Sequence, residues 1–188
     1  MARITRRELT NLAGALGIAA TLGGLAFGLP ALDRSLPAQR AVSPAEPYQV
    51  GAGVSVVPPA GATIDVTGTR PGDTDGTALF RLGPVSYAIA VRPFRGDLDA
   101  AAMRLRERIT NTSGYQVTGT QLTVSTAGGL AGVQGGYTAP GRGGRYAVFV
   151  GDGLTIEVTI SGNDLDLGRS LPQIEASVRT LRHHREGR

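Results

Sequence analysis

The chain contains no cysteine, no tryptophan and no lysine, and arginine supplies all 19 of its strongly basic residues. Without cysteine it forms no disulfide, no thiolate-bound zinc or iron–sulfur site and no thiol nucleophile. Without lysine it forms neither a P-loop nor a Schiff base. These absences remove several classes of enzyme and favour binding over catalysis.

The charge distribution argues against nucleic acid as a partner, although the net charge is +4 and the pI is near 10.1. Residues 1–47 and residues 181–188 each carry an excess of two positive charges, whereas residues 48–180 carry equal numbers of arginines and acidic residues. A domain that binds nucleic acid carries its excess positive charge on the folded part. We therefore expect no nucleic-acid partner.

Residues 12–32 predict a transmembrane helix. This run is uncharged and follows Arg3, Arg6 and Arg7. As a helix it would extend about 31 Å, which matches the hydrocarbon thickness of a bilayer. Because the arginines lie only on its leading side, residues 1–11 are expected in the cytoplasm and the rest of the chain outside. The predicted location is a single pass through the cell membrane.

The same segment could instead be a cleaved export signal. Two Leu-Pro-Ala triplets, at 29–31 and 36–38, place leucine where a signal peptidase prefers a small residue. The apolar run is also longer than the usual 7–15 residues, which favours a retained anchor. Arg6 and Arg7 resemble the start of a twin-arginine signal, so the export route stays open.

Ala20, Gly24 and Gly28 lie four residues apart within the predicted membrane helix. Small residues at this spacing allow two helices to approach closely. The sequence therefore raises a weak helix dimer as a hypothesis.

Residues 33–47 are rich in proline and alanine and predict an extended linker. Pro37, Pro44 and Pro47 remove backbone donors, and no apolar period is present. Such a segment would hold a folded domain clear of the membrane.

Alternating apolar and polar residues predict an antiparallel sheet of about seven or eight strands within residues 48–181. In residues 154–160, four apolar residues alternate with Thr155, Glu157 and Thr159. The other predicted strands lie at 54–57, 64–67, 77–82, 85–92, 121–125, 130–138 and 145–150. Glycine-containing turns join several of them, with a looser hairpin expected at 141–144.

Two segments change to helical spacing. Residues 97–111 repeat apolar side chains every three or four positions, with Asp97 as the expected N-cap. Residues 167–181 repeat the pattern, with Ser170 and Gln173 as an expected capping box. The fold class is therefore α+β: an antiparallel sheet with two amphipathic helices packed on it, followed by a basic tail at residues 182–188.

Three stretches resemble the PsbP-like family of α/β/α sandwiches, which includes anchored and secreted domains of actinobacteria. They are the opening strand and proline–glycine turn at 48–61, the crossover helix at 97–111 and the closing helix at 171–181. Ala62 departs from the family, in which an aromatic residue often follows the turn glycine. The resemblance implies a binding or assembly factor without catalysis.

His183 and His184 are the chain's two histidines, and they follow the last predicted helix in an arginine-rich segment. General acid–base catalysis needs an imidazole held on a rigid frame. In a mobile tail neither histidine would have such a frame, so we predict no catalytic role for them.

Candidate calcium ligands also have simpler interpretations. Asp73 and Asp75 form half of a calcium loop, but a third oxygen ligand and a distant glutamate are missing. Asn163, Asp164 and Asp166 precede the last helix, where acidic residues suit the positive helix N-terminus. We predict no metal site and no cofactor.

Two other charged pairs have ordinary structural explanations. Glu157 with Asp152 could serve a hydrolase, but both lie on or near one hairpin, on an expected solvated face. Arg142 and Arg145 could hold an anion, but no helix begins after them to complete such a site. Neither pair is predicted to be functional.

The sequence therefore predicts a non-catalytic, membrane-tethered, extracytoplasmic binding or assembly module of a bacterial cell envelope. Its expected partners are the membrane, through residues 12–32, and an envelope protein or lipophilic ligand. The alternatives are an exported carrier of a lipophilic ligand, which needs an apolar cavity between helix and sheet, and a carboxylate-based hydrolase.

Overall fold

A computed structural model describes residues 38–184. The predicted membrane segment at 12–32, the small-residue ridge and the export motifs therefore lie outside the described residues. Within 38–184, neither helix has the length and apolar character needed to span a membrane.

The described residues form twelve strands and two helices. In chain order they are β1 (Gln39–Ala41), β2 (Tyr48–Gly51), β3 (Val54–Val56), β4 (Thr63–Asp65), β5 (Arg70–Pro71), β6 (Gly76–Leu82), β7 (Val85–Pro93), α1 (Leu98–Thr110), β8 (Gln116–Ser125), β9 (Ala131–Ala139), β10 (Arg142–Gly151), β11 (Leu154–Gly162), α2 (Asp164–Arg179) and β12 (Arg182–His183).

Two antiparallel sheets organise these strands. The main sheet has nine strands in the order β1-β4-β6-β7-β11-β10-β9-β8, with β5 paired to β6. The small sheet has the order β12-β3-β2. The strongest alternating patterns of the sequence, in β7 and β11, are neighbours at the centre of the main sheet. The predicted α+β class with a large antiparallel sheet and two helices is confirmed.

The helices begin where side chains replace missing backbone partners. Asp97 caps α1 as predicted, because its Oδ1 accepts the Ala100 N–H at 2.8 Å. Asn163 caps α2 by accepting the Asp166 N–H at 2.9 Å. The capping box predicted at Ser170 and Gln173 is therefore wrong, since both residues lie inside α2.

The main sheet separates two apolar cores. On one face, α2 and the small sheet cover the larger core, in which Ile89, Ile156 and Ile174 are fully buried. On the other face, α1 covers a smaller core that contains Leu105 and Val148. Because successive strand residues point to opposite faces, the central strands supply both cores. The result is a three-layer arrangement of helix, sheet and helix.

Aromatic rings lie over glycines where β9 meets β10. The cross-strand pairs Tyr146–Gly135, Tyr137–Gly144 and Phe149–Gly132 each place a ring directly opposite a glycine. A Cβ added at any of these glycines would overlap the opposite ring. The Tyr137 hydroxyl crosses β10 and donates to the Ile160 carbonyl of β11 at 2.9 Å, so one side chain joins three strands.

The hairpin predicted at 141–144 is tighter than expected. A two-residue turn at Pro140 and Gly141 joins β9 to β10, and β10 already begins at Arg142. Gly143 and Gly144 are paired strand residues. The lack of a side chain at Gly144 leaves room for the ring of Tyr137.

The folded unit extends beyond the predicted bounds of 48–181 at both ends. Gln39–Ala41, assigned to the linker from sequence, pairs with Thr63–Asp65 as strand β1. Arg182–His183, assigned to a basic tail, pairs with Val54 and Ser55 of β3 as strand β12.

The end of α2 is tied to the segment after β3. Ser177 Oγ donates to the Val57 carbonyl at 2.5 Å, and Thr180 Oγ1 accepts the Val57 N–H at 2.8 Å. Ser177 Oγ also lies 3.4 Å from the Tyr87 hydroxyl. Burial raises the pKa of Tyr87, so the phenol stays neutral inside the core.

We predict that Gly76→Ala lowers the free energy of unfolding by about 1–3 kcal/mol, because its Cβ would overlap the Val50 carbonyl. Gly168→Ala is the matched control. It adds the same methyl group to α2 with no atom within 4 Å. It should raise stability by up to about 1 kcal/mol, because alanine favours helix. Urea unfolding measures both changes, and equal effects would contradict the close approach of β2 to β6.

Candidate functional site

An open cleft of about 1190 Å³ lies at one end of the main sheet. Four segments surround it: the β2–β3 turn, residues 71–74, the β10–β11 turn and the C-terminal residues His183 and His184. Turns and one short strand that are far apart in sequence therefore meet around this cleft.

Close backbone contacts fix the β2–β3 turn beside the cleft. The Ala52 N–H donates to the Gly72 carbonyl at 2.9 Å, and the His184 N–H donates to the Gly53 carbonyl at 2.8 Å. A Cβ at Gly51 would lie 2.8 Å from the Gly72 carbonyl oxygen. Glycine is needed there because no side chain fits between the two segments.

Two non-glycine residues at the cleft have left-handed backbones. Ala52 has a φ of 49° and Asp152 a φ of 50°, and each is followed by a glycine with positive φ. Consecutive positive φ values are typical of the two-residue turns that join antiparallel strands. Asp tolerates this conformation, whereas Ala pays about 1–2 kcal/mol for it. Backbone strain of this kind clusters at functional sites.

The structure gives both histidines fixed positions. The His183 side chain is 11% exposed, and its Nδ1 lies 3.4 Å from Asp152 Oδ2. His184 Nε2 lies 3.2 Å from Ser55 Oγ. The expectation of a mobile tail is therefore wrong for these two residues, because β12 pairs with β3. This two-residue strand is too short to give a periodic signal in the sequence.

The histidines do not assemble a Ser-His-Asp triad. Successive strand residues point to opposite sides, so His183 contacts Asp152 whereas His184 contacts Ser55. A triad needs one imidazole between the carboxylate and the hydroxyl. Ser55 is moreover buried, at 2% exposure. The geometry supports recognition of a polar group at His183 better than attack by a serine.

The two groups of carboxylates considered as calcium ligands lie in different places. Asp73 lines the cleft, whereas Asn163 and Asp166 form the cap of α2. No group of three or more His, Asp or Glu residues in the described part of the chain could hold a metal ion.

Glu157 and Asp152 have different partners. Glu157 forms an ion pair with Arg108 and is 7% exposed, so its expected solvated position is wrong. The reason is that α1 lies over this face of β11. Asp152 instead lies beside His183 at the β10–β11 turn.

Arg142 and Arg145 lie on opposite faces of β10, because they are three residues apart in one strand. Arg145 lies 4.0 Å from Glu175 of α2. The two arginines therefore do not form the anion site that was weighed from sequence.

Comparison with known proteins identifies the fold but no family. No protein-family model matches the chain, and no curated protein matches it. The cyanobacterial PsbP (CyanoP) of Synechocystis is 12% identical with a TM-score of 0.55, over 77% of this chain and 95% of that chain. This likeness confirms the PsbP-like fold that the sequence resembled.

Two other solved structures overlap more loosely. Protein PA94 of Pseudomonas aeruginosa, of unknown function, is 19% identical with a TM-score of 0.49, over 60% of this chain and 85% of that chain. LpqN, involved in cell envelope biogenesis of Mycobacterium tuberculosis, is 13% identical with a TM-score of 0.39, over 77% of this chain and 89% of that chain.

We predict that His183→Ala lowers the free energy of unfolding by about 1–2 kcal/mol, because it removes a largely buried side chain that contacts Asp152. Arg182→Ala, the matched control, truncates an exposed side chain of the same strand and should cost less than about 0.5 kcal/mol. Urea unfolding at neutral pH measures both. Equal, negligible effects would contradict a stabilising role of the His183 side chain.

Proposed function

We propose that the chain is a non-catalytic binding or assembly module that residues 12–32 hold outside the cytoplasmic membrane, in a bacterial cell envelope. The cleft is its binding surface, and the partner is a protein segment with exposed polar groups. The arginines before residue 12 and the uncharged run after them support the location.

The composition of the cleft carries this proposal. The three glycine-containing segments line it together with the polar residues Gln49, Asp73 and His183. An amide, a carboxylate and an imidazole can hydrogen-bond a peptide, whereas nucleophilic catalysis would need a nucleophile next to a base. The resemblance to PsbP-like domains, which implies binding or assembly, supports the same conclusion.

A carrier of a lipophilic ligand receives less support. Two pockets lie between α2 and the main sheet: a more enclosed one of about 170 Å³, and an open groove of about 400 Å³ beside β8 and β9. Sites for drug-sized ligands span about 300–1,000 Å³. The more enclosed pocket is therefore too small for a lipid, and the larger one is open to solvent and would leave a lipid exposed.

The absence of cysteine allows a direct test of the location. A single Met103→Cys or Thr5→Cys substitution introduces the chain's only thiol. In intact cells, a membrane-impermeant maleimide should label Met103→Cys, because the side chain is 59% exposed on the domain. Thr5→Cys should react only after lysis. Labelling of Met103→Cys only after lysis would overturn the proposed location, and loss of the Thr5 thiol from the mature chain would show cleavage.

The binding surface is tested by crosslinking from the cleft. A thiol-reactive benzophenone is placed on Thr74→Cys, an exposed residue that lines the cleft, or on Met103→Cys, which does not line it. After irradiation of intact cells, a discrete protein adduct is expected from Thr74→Cys and not from Met103→Cys. The same adducts from both positions, or none from the cleft, would contradict the proposed surface.

A further inference from the structure

A second concave surface lies on the opposite side of the main sheet, away from α2. Here α1 covers the smaller core, but a groove stays open between α1 and strands β7 and β11. We call it the α1 groove. It has two lobes, and Arg92, Arg108 and Glu157 line both.

An ion pair divides the two lobes. The Glu157 side chain is 8% exposed and forms an ion pair with Arg108 of α1. Its cross-strand neighbours are Ala90 and Val148, which offer no hydrogen bond from their side chains. A buried carboxylate needs an opposite charge beside it, so the charge of Arg108 neutralises Glu157.

One lobe is polar, with a volume of about 420 Å³. Arg92 and Arg104 line it, and neither has an ion-pair partner within residues 38–184. Glu107 lines it as well, so the three arginines and the two glutamates of this lobe leave one positive charge. Arg104 and Arg108 are four residues apart on α1 and therefore lie on one side of the helix.

The other lobe is largely apolar, with a volume of about 380 Å³. Space remains above β7 in this lobe because two of the β7 residues that face it, Ala88 and Ala90, have short side chains. Tyr115 stacks on Tyr137 at a centroid distance of 5.8 Å and forms an aromatic wall. The apolar side chains that line this lobe are Ala88, Ala90, Leu105, Ile109, Tyr115 and Tyr137.

We propose that the α1 groove binds a small, water-soluble phosphate monoester with an aromatic or short aliphatic body. Arg92 and Arg104 hold the anionic group, because guanidinium groups pair with carboxylate and phosphate through several donors at once. The aromatic or aliphatic part of the ligand passes over the planar guanidinium group of Arg108 and lies against Ala88, Ala90 and Tyr115. The volumes of the two lobes lie within the range of small-molecule sites.

This site is independent of the proposed function. It lies beside α1, whereas the cleft lies among the turns around His183. Failure of one therefore leaves the other unaffected.

The test is equilibrium dialysis of the detergent-solubilised full chain against 4-nitrophenyl phosphate, with protein-free detergent as the blank. Binding should weaken at least about tenfold in Arg92→Gln and in Arg104→Gln, because each loses a charge-assisted hydrogen bond. Arg106→Gln, on the same helix but outside both lobes, is the matched control and should bind as the original chain does. Ala90→Leu, which fills the apolar lobe, should also weaken binding.

Two competitors separate the parts of the ligand. Inorganic phosphate carries only the anionic group, and 4-nitrophenol carries only the aromatic part. Each should need at least about a tenfold higher concentration than the ester itself to displace half of the bound ester. Equal competition by inorganic phosphate would overturn the role of the apolar lobe. Unchanged binding in both Arg92→Gln and Arg104→Gln, or no binding at all, would overturn the site. Both arginines are exposed, so circular dichroism should show these variants folded.

Discussion

Tyrosine and phenylalanine rings that pack over glycines join β9 to β10 and contribute to both cores of this fold. The chain has five tyrosines, four phenylalanines and no tryptophan, so few large side chains are present to fill two cores. A ring that lies flat across a glycine covers the neighbouring strand as well as its own. Tyr137 and Tyr146 serve the core beneath α1 in this way, and Phe149 serves the core beneath α2.

Local patterns predicted most of the secondary structure, because they follow from the geometry of a single strand or helix. The alternation in β11 placed Leu154, Ile156, Val158 and Ile160 on one face, and all four are buried. The apolar stripe of α1 identified Ala102, Leu105 and Ile109, which pack in one core. These regularities need no knowledge of what lies opposite.

The cleft and the groove depended on distant parts of the chain, and the sequence did not predict them. The alternating pattern of β11 predicts that Glu157 lies on its polar face. That this face is covered depends on the position of α1, which the pattern of β11 does not contain. His183 belongs to a two-residue strand, which is too short to give a periodic signal. His183 is held in position by pairing with β3, which is distant from it in sequence.

The small sheet also constrains the order in which the domain can fold. Strand β3 lies between β2, which directly precedes it, and β12, which brings His184 to Ser55 across 129 residues of chain. A contact of such long range carries a high entropic cost of loop closure, and topologies with many such contacts fold slowly. We therefore expect the local hairpin of β2 and β3 to form before β12 pairs with β3 and completes the cleft.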